Sequence, residues 1–237
     1  MIAVLVQTYN DVIAPLIFKG GPIVTVLLFI SVVAVAIIIT KIVQFYLAGV
    51  YSGSRSRAST IDPVLELVRA GNFTAAHNEV TKQKGPLARL MEAGLIASWR
   101  EHRRDTEIEE ELGRVGGNQL VAMQSYFRWL EVIGNVAPLL GLLGTVMGMI
   151  TAFQQLEVAG SKVDPSILAG GIWEALITTQ VGLIVAIPVV TILNLLENRL
   201  DQYRQEMRDV SARLMHALHS AQKRADANGH AISQAAQ

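Results

Sequence analysis

Residues 137–153, APLLGLLGTVMGMITAF, decide the fold. Wound as a helix, they join a wider pattern: Gly134, Pro138, Gly141, Thr145, Gly148 and Ala152 recur at steps of four and three, so they share one face. The remaining positions are mostly Leu, Val, Met and Ile. Without charge for about twenty residues, such a stretch crosses a bilayer. In lipid, where apolar surface alone does not drive helices together, a face of small residues lets two helices approach closely. The plain reading of the face is a packing seam, and the glycines suit it. Thr145, the hydroxyl in its middle, suits a seam and a polar passage equally.

Two further stretches are long and apolar enough to span. The expected organisation is a first span at 22–47, a second at 129–156 and a third at 167–196. The whole is an all-α membrane protein. Its composition agrees, with 51% hydrophobic and only 17% charged residues, where soluble domains carry about a quarter charged. Lys41 is the one charge inside the first span, close enough to its end for the ammonium to snorkel to the interface. Residues 1–21 lack a basic start and a small-residue cleavage site, so they read as an amphipathic interfacial segment rather than a cleaved signal.

Orientation follows from Lys and Arg. Segment 1–21 holds only Lys19 and loop 157–166 only Lys162, whereas segment 52–128 holds eleven and the chain after 196 holds six. The N-terminus and the 157–166 loop are therefore expected outside, and 52–128 with the C-terminus inside. Segment 52–60 reads as a flexible exit, with a helix starting at Asp62-Pro63 and ending near Gly71. Further helices are expected over 73–83 and 86–103. From Ile108 an apolar periodicity runs unbroken into the second span. After the third span Leu196, Leu200, Tyr203, Met207, Val210, Leu214 and Ala217 form a stripe, predicting an amphipathic helix over 197–224. The small, polar residues 225–237 read as a disordered tail.

Chemistry is scarce. There is no cysteine, and the five histidines are scattered; His216 and His219 sit three apart without further ligands, which reads as a solvated helix face. No Ser/His pair, Asp pair or phosphate loop supports an enzyme, and no cofactor, metal or nucleic acid is called for. The charged run 101–111 also reads as a solvated face. The third span repeats the small-residue face with Gly171, Ala175, Thr178, Gly182 and Ala186, and it contains Glu174. A carboxylate inside a span costs at least about 2.5 kcal/mol on insertion scales and is a functional candidate by default. A structural carboxylate near the outer interface is the competing reading. Thr145 lies 11 residues before Leu156 and Thr179 lies 12 after Ile167, which puts both about 16–18 Å below the outer face. Two helices thus bring hydroxyls to one level. Three spans cannot enclose a pore alone, so an ion path would need several copies and a partner carrying the main titrating acid.

The run 137–153 followed by AGGIWEALITTQVGLIVAIPVVTILN (169–194) resembles the paired signature of the ExbB/TolQ/MotA channel family, and Gly20-Gly21-Pro22 with Lys41 resembles its ExbB-type members. The resemblance implies a homopentamer in a bacterial inner membrane, with the second and third spans lining a pore. Two copies of an ExbD/TolR-type single-span protein, bearing a membrane Asp, would sit within it. By motif, Thr145, Glu174 and Thr179 carry over as channel-lining groups. Helical geometry instead places Thr178 on the face of Glu174, so both threonines are candidates. Gly134, Pro138, Gly141, Gly144, Gly148, Gly171, Gly182 and Pro188 are the expected helix-packing positions. Trp173 and Gln180 depart from the family pattern, which usually has smaller residues there. The implied function is a motor subunit that converts the proton motive force into work through a TonB- or TolA-like protein, to energise outer-membrane transport. A TolQ-like envelope-maintenance motor and a non-conducting membrane scaffold are the alternatives.

Overall fold

The computed structural model describes residues 14–50, 54–100, 104–159 and 165–235, all built on helices and their connections, with no strand among the described residues. In chain order these are α1 (Ala14–Leu47), α2 (Ser54–Arg69), α3 (Phe73–Thr81), α4 (Pro86–Leu95, followed by a π-helical turn Ile96–Arg100), α5 (Asp105–Gln124), α6 (Phe127–Ala159) and α7 (Pro165–Ala235). Three of them, within α1, α6 and α7, are long and apolar enough to cross a membrane. This is an all-helical, multi-pass membrane protein. Most of the 1–21 segment and the centre of the 157–166 loop fall outside the described residues.

The chain divides into two compact units. The first takes the chain as far as Thr40 together with Tyr126–Leu196; the second takes Lys41–Ser125 and everything from Glu197 on.

In the first unit each helix buries one stripe. On α1 it is Val24, Leu27, Ala34 and Ile38; on α6 Leu130, Ala137 and Ala152; on α7 Ala175, Val181, Val185, Ala186 and Val189. Large apolar side chains such as Phe29, Leu139, Ile150 and Ile184 remain exposed. An apolar surface of that extent is stable in a hydrocarbon solvent, not in water. Inside α1 the helix breaks at Gly21, whose φ of 63° and ψ of −165° belong to a region essentially reserved for glycine. Pro22 follows, and its missing N–H removes the bond that would close the turn.

The second unit has an ordinary core of Val64, Leu65, Leu90, Met91, Leu95, Ile108 and Leu112. Against it lies the α7 stripe read from the sequence: Leu200, Tyr203, Met207, Val210, Leu214 and Ala217 are all buried. Gly94 is the tight point, since a Cβ there would meet Leu214 at 2.7 Å and Leu112 at 3.0 Å. Local signals set the helix ends. Asn72 caps α3, its Oδ1 accepting from the Ala75 N–H at 3.2 Å, and Gly71 (φ 78°) turns the chain out of α2. Gly85 (φ 125°) precedes Pro86 at the first turn of α4. Arg213 crosses to Asp62, pinning α7 to α2.

Several expectations need correcting. Helix α2 begins at Ser54, so residues 54–60 of the expected flexible exit are helical and Pro63 lies inside the helix rather than at its start. Burial of Ile61, Val64, Leu65 and Val68 on one face outweighs the single bond that Pro63 cannot make. The periodic run from Ile108 is not one helix: α5 stops at Gln124, and Tyr126, at φ 69°, is a non-glycine residue in the left-handed region before α6 starts. Finally, α7 continues past Arg224 to Ala235, where alanine-rich composition favours the helix.

Candidate functional site

The seam between α6 and α7 is built from absent side chains. A Cβ on Gly182 would lie 2.6 Å from the Ala137 carbonyl oxygen, one on Gly141 3.0 Å from the Thr178 carbonyl oxygen, and one on Gly134 2.6 Å from Val190. A Cβ on Gly144 would overlap the Thr178 side chain, one on Gly171 would overlap Ala152, and one on Gly148 would press on Ala175 at 3.2 Å. Gly141 and Gly182 thus let the two backbones approach closely, and Gly134, Gly144, Gly148 and Gly171 leave room for side chains of the facing helix. Pro138 is half-buried beside them, while Pro188 is exposed on α7 and takes no part in the seam.

The threonines separate by burial. Thr178 is 3% exposed and donates to the carbonyls of Gly141 (3.2 Å) and Ala175 (2.7 Å). Its hydroxyl is consumed within the seam. Thr179 is half-buried and also donates across the seam to Gly141 O at 3.2 Å. Thr145, also half-buried, donates to Leu142 O on its own helix at 2.7 Å. Gly141 is one helical turn before Thr145, so Thr145 and Thr179 occupy the same turn of the seam. Gln180 and Trp173 are exposed on α7.

Glu174 is exposed on the chain, and its carboxylate lies beside Gly21 of the first span. A methyl group on Gly21 would sit 3.0 Å from Glu174 Oε1, so the carboxylate rests against bare backbone at the break in α1. This neighbour was outside the sequence reading, although the Gly20-Gly21-Pro22 signal for a backbone break was visible. Lys41 is not a snorkelling charge. It is 1% exposed, and its ammonium donates to Met123 O (3.1 Å), Ser125 Oγ (2.9 Å) and Gln44 Oε1 (2.8 Å). A cation at the carbonyl end of α5 complements the helix dipole and satisfies acceptors that the helix end leaves open. Three acceptors within reach of one ammonium explain why the side chain turns inward.

Among the described residues no three His, Cys, Asp or Glu side chains gather as a metal site would require. Exposed local pairs, Arg104–Glu107 at 2.7 Å and Arg114–Glu111 at 2.6 Å, fit a solvated face along α5.

An all-helical protein with three membrane-length helices, two of them meeting along a glycine seam, belongs to the class of multi-span membrane proteins. The comparison with known proteins is more specific. Residues 82–209 match the model of the MotA/TolQ/ExbB proton channel family, and the chain belongs to that family. Within it, the chain is most like ExbB. The biopolymer transport protein ExbB of Pseudomonas putida is 30% identical over 210 residues, covering 84% of this chain and 61% of the relative. An ExbB homolog of Methanothermobacter thermautotrophicus is 31% identical over 187 residues, 78% of this chain and 63% of the relative. The Tol-Pal system protein TolQ of Haemophilus influenzae is 35% identical over 88 residues, 37% of this chain and 38% of the relative. The chain thus spans about three-fifths of the length of the ExbB relatives it matches. The two ExbB relatives carry the name of biopolymer transport proteins and the third that of a Tol-Pal system protein.

Proposed function

We propose that this chain is an ExbB/TolQ-type subunit of an ion-driven motor in a bacterial inner membrane. Five copies surround a pore whose wall is formed by the spans in α6 and α7. A dimer of an ExbD/TolR-type single-span protein occupies that pore and brings the carboxylate that takes up and releases the proton. The N-terminus faces outward and the second unit faces the cytoplasm, a direction supported by the concentration of Lys and Arg in 52–128 and after 196. Protons moving down their gradient would neutralise the partner's carboxylate opposite Thr145 and Thr179, breaking one contact and forming the next. The resulting movement reaches the outer membrane through a TonB-like protein and energises transport there.

The observation that carries this reading is the pairing of Thr145 and Thr179 on one turn of the seam. Both stay half-buried while Thr178 is sealed within it. Replacing both, Thr145→Ala with Thr179→Ala, is expected to abolish proton flux into vesicles and energised uptake while the assembled complex remains. Wild-type flux in that variant would remove the pore-lining role.

The similarity to TolQ supports a second destination for the work, envelope maintenance through a TolA-like protein. Loss of envelope integrity without loss of energised uptake, on deletion of the chain, would favour that assignment. The glycine seam alone would also suit a scaffold without conduction. Proton flux measured with and without the partner separates scaffold from channel.

A further inference from the structure

We propose that Gly21 is a positioning residue for Glu174, so that the first span takes part in the ion path. The inference rests on the reading of Glu174 as a channel group. Three features carry it. The backbone of α1 breaks at Gly21, in a conformation that side chains with a Cβ rarely adopt, and Pro22 perpetuates the break by withholding an N–H. Glu174 Oε1 lies where a methyl group on Gly21 would meet it at 3.0 Å. The Thr25 hydroxyl donates to the Gly21 carbonyl at 3.4 Å, a long and weak bond.

The break lies at the start of the first span, and an ionisable side chain within a span needs protein or water around it. The structure puts the two against each other. Each supplies what the other needs: the break gives the carboxylate a polar neighbour and room for water, and the carboxylate gives the open peptide groups a hydrated environment. Gly21 thereby fixes how far the carboxylate stands from the first span. Any side chain there pushes Glu174 away, and any shortening of Glu174 withdraws it.

That reciprocal dependence makes the test. The full-length chain, co-expressed with an ExbD/TolR-type partner and reconstituted into vesicles holding a pH-sensitive dye, is compared as wild type, Glu174→Gln, Glu174→Asp, Gly21→Ala and the Gly21→Ala, Glu174→Asp pair. Size-exclusion chromatography checks assembly. Glu174→Gln is expected to lose flux; wild-type flux there sinks the channel reading of Glu174, and this inference with it. With Glu174→Gln inactive, Gly21→Ala and Glu174→Asp are each expected to lower flux by about tenfold, and the pair, in which the shorter acid leaves room for the methyl while the backbone strain at position 21 stays, to lose clearly less than the product of the two. Additive losses in the pair, or a Gly21→Ala flux within about twofold of wild type, overturn the positioning role and leave the channel reading standing. Should Gly21→Ala fail to assemble, Pro22→Ala keeps the glycine and lets α1 straighten. It is expected to lower flux in the same direction, and wild-type flux overturns the proposal.

Discussion

The two units hold together by opposite means. In the second unit, large side chains such as Leu90, Met91 and Leu214 fill space, and α7 docks through an apolar stripe that water drives out of solution. In the first unit, α6 and α7 meet where side chains are missing, and the attraction is close backbone contact with hydroxyl-to-carbonyl bonds. One long helix follows both rules along its length. The lesson is that a single helix face must be read against its solvent: leucines make the contact in water, glycines make it in lipid.

The contrast predicts a ranking of substitutions. Leu214→Ala, in the filled core against Gly94 and Leu112, should cost the most, about 3–4 kcal/mol. Protease resistance of the purified chain is the readout, and a cost under about 1 kcal/mol would mean that this core is not what anchors α7. Gly182→Val comes next. Its new side chain meets the Ala137 carbonyl, so the seam must open at an expense of about 1–3 kcal/mol. Thermal unfolding in detergent should show the loss, and unchanged stability would refute close approach as the cohesive element. Thr178→Val ranks last, at about 0.6–1 kcal/mol, since interhelical hydrogen bonds in membranes are individually modest. A drop as large as that of Leu214→Ala would instead make the hydroxyl the principal fastening of the seam.

Much of this was legible in the residues. The three spans, the seven-position stripe from Leu196 to Ala217 and the glycine face of α6 follow from periodicity, because each face meets one uniform environment. The helix end near Gly71 and the helix start at Pro86 follow from turn chemistry. What stayed hidden depended on partners distant in sequence. The break at Tyr126 has no glycine or proline to announce it, and the periodic run on either side continues unbroken. The acceptors beside it, Met123 O and Ser125 Oγ, take the Lys41 ammonium across 80-odd residues of chain. Nothing near Lys41 in sequence distinguishes an ammonium headed for the interface from one folded inward. Pro188 and Thr178 teach the same point, for spacing puts a residue on a face without saying which neighbour that face meets.

The carbonyl of Gly141 has one more consequence. As a helical residue it already accepts the Thr145 N–H, four positions on. The hydroxyls of Thr178 and Thr179 approach the same oxygen, both at 3.2 Å. Each hydroxyl has a single proton to give, and both distances lie beyond the usual 2.7–2.8 Å for such bonds. Thr178 has a shorter bond to Ala175 in reserve, at 2.7 Å. Thr179 is held to Gly141 by one long bond, and of the two hydroxyls bridging the helices it is the half-buried one. The fold keeps one donor at this level loosely committed, with little to lose by turning to a new acceptor.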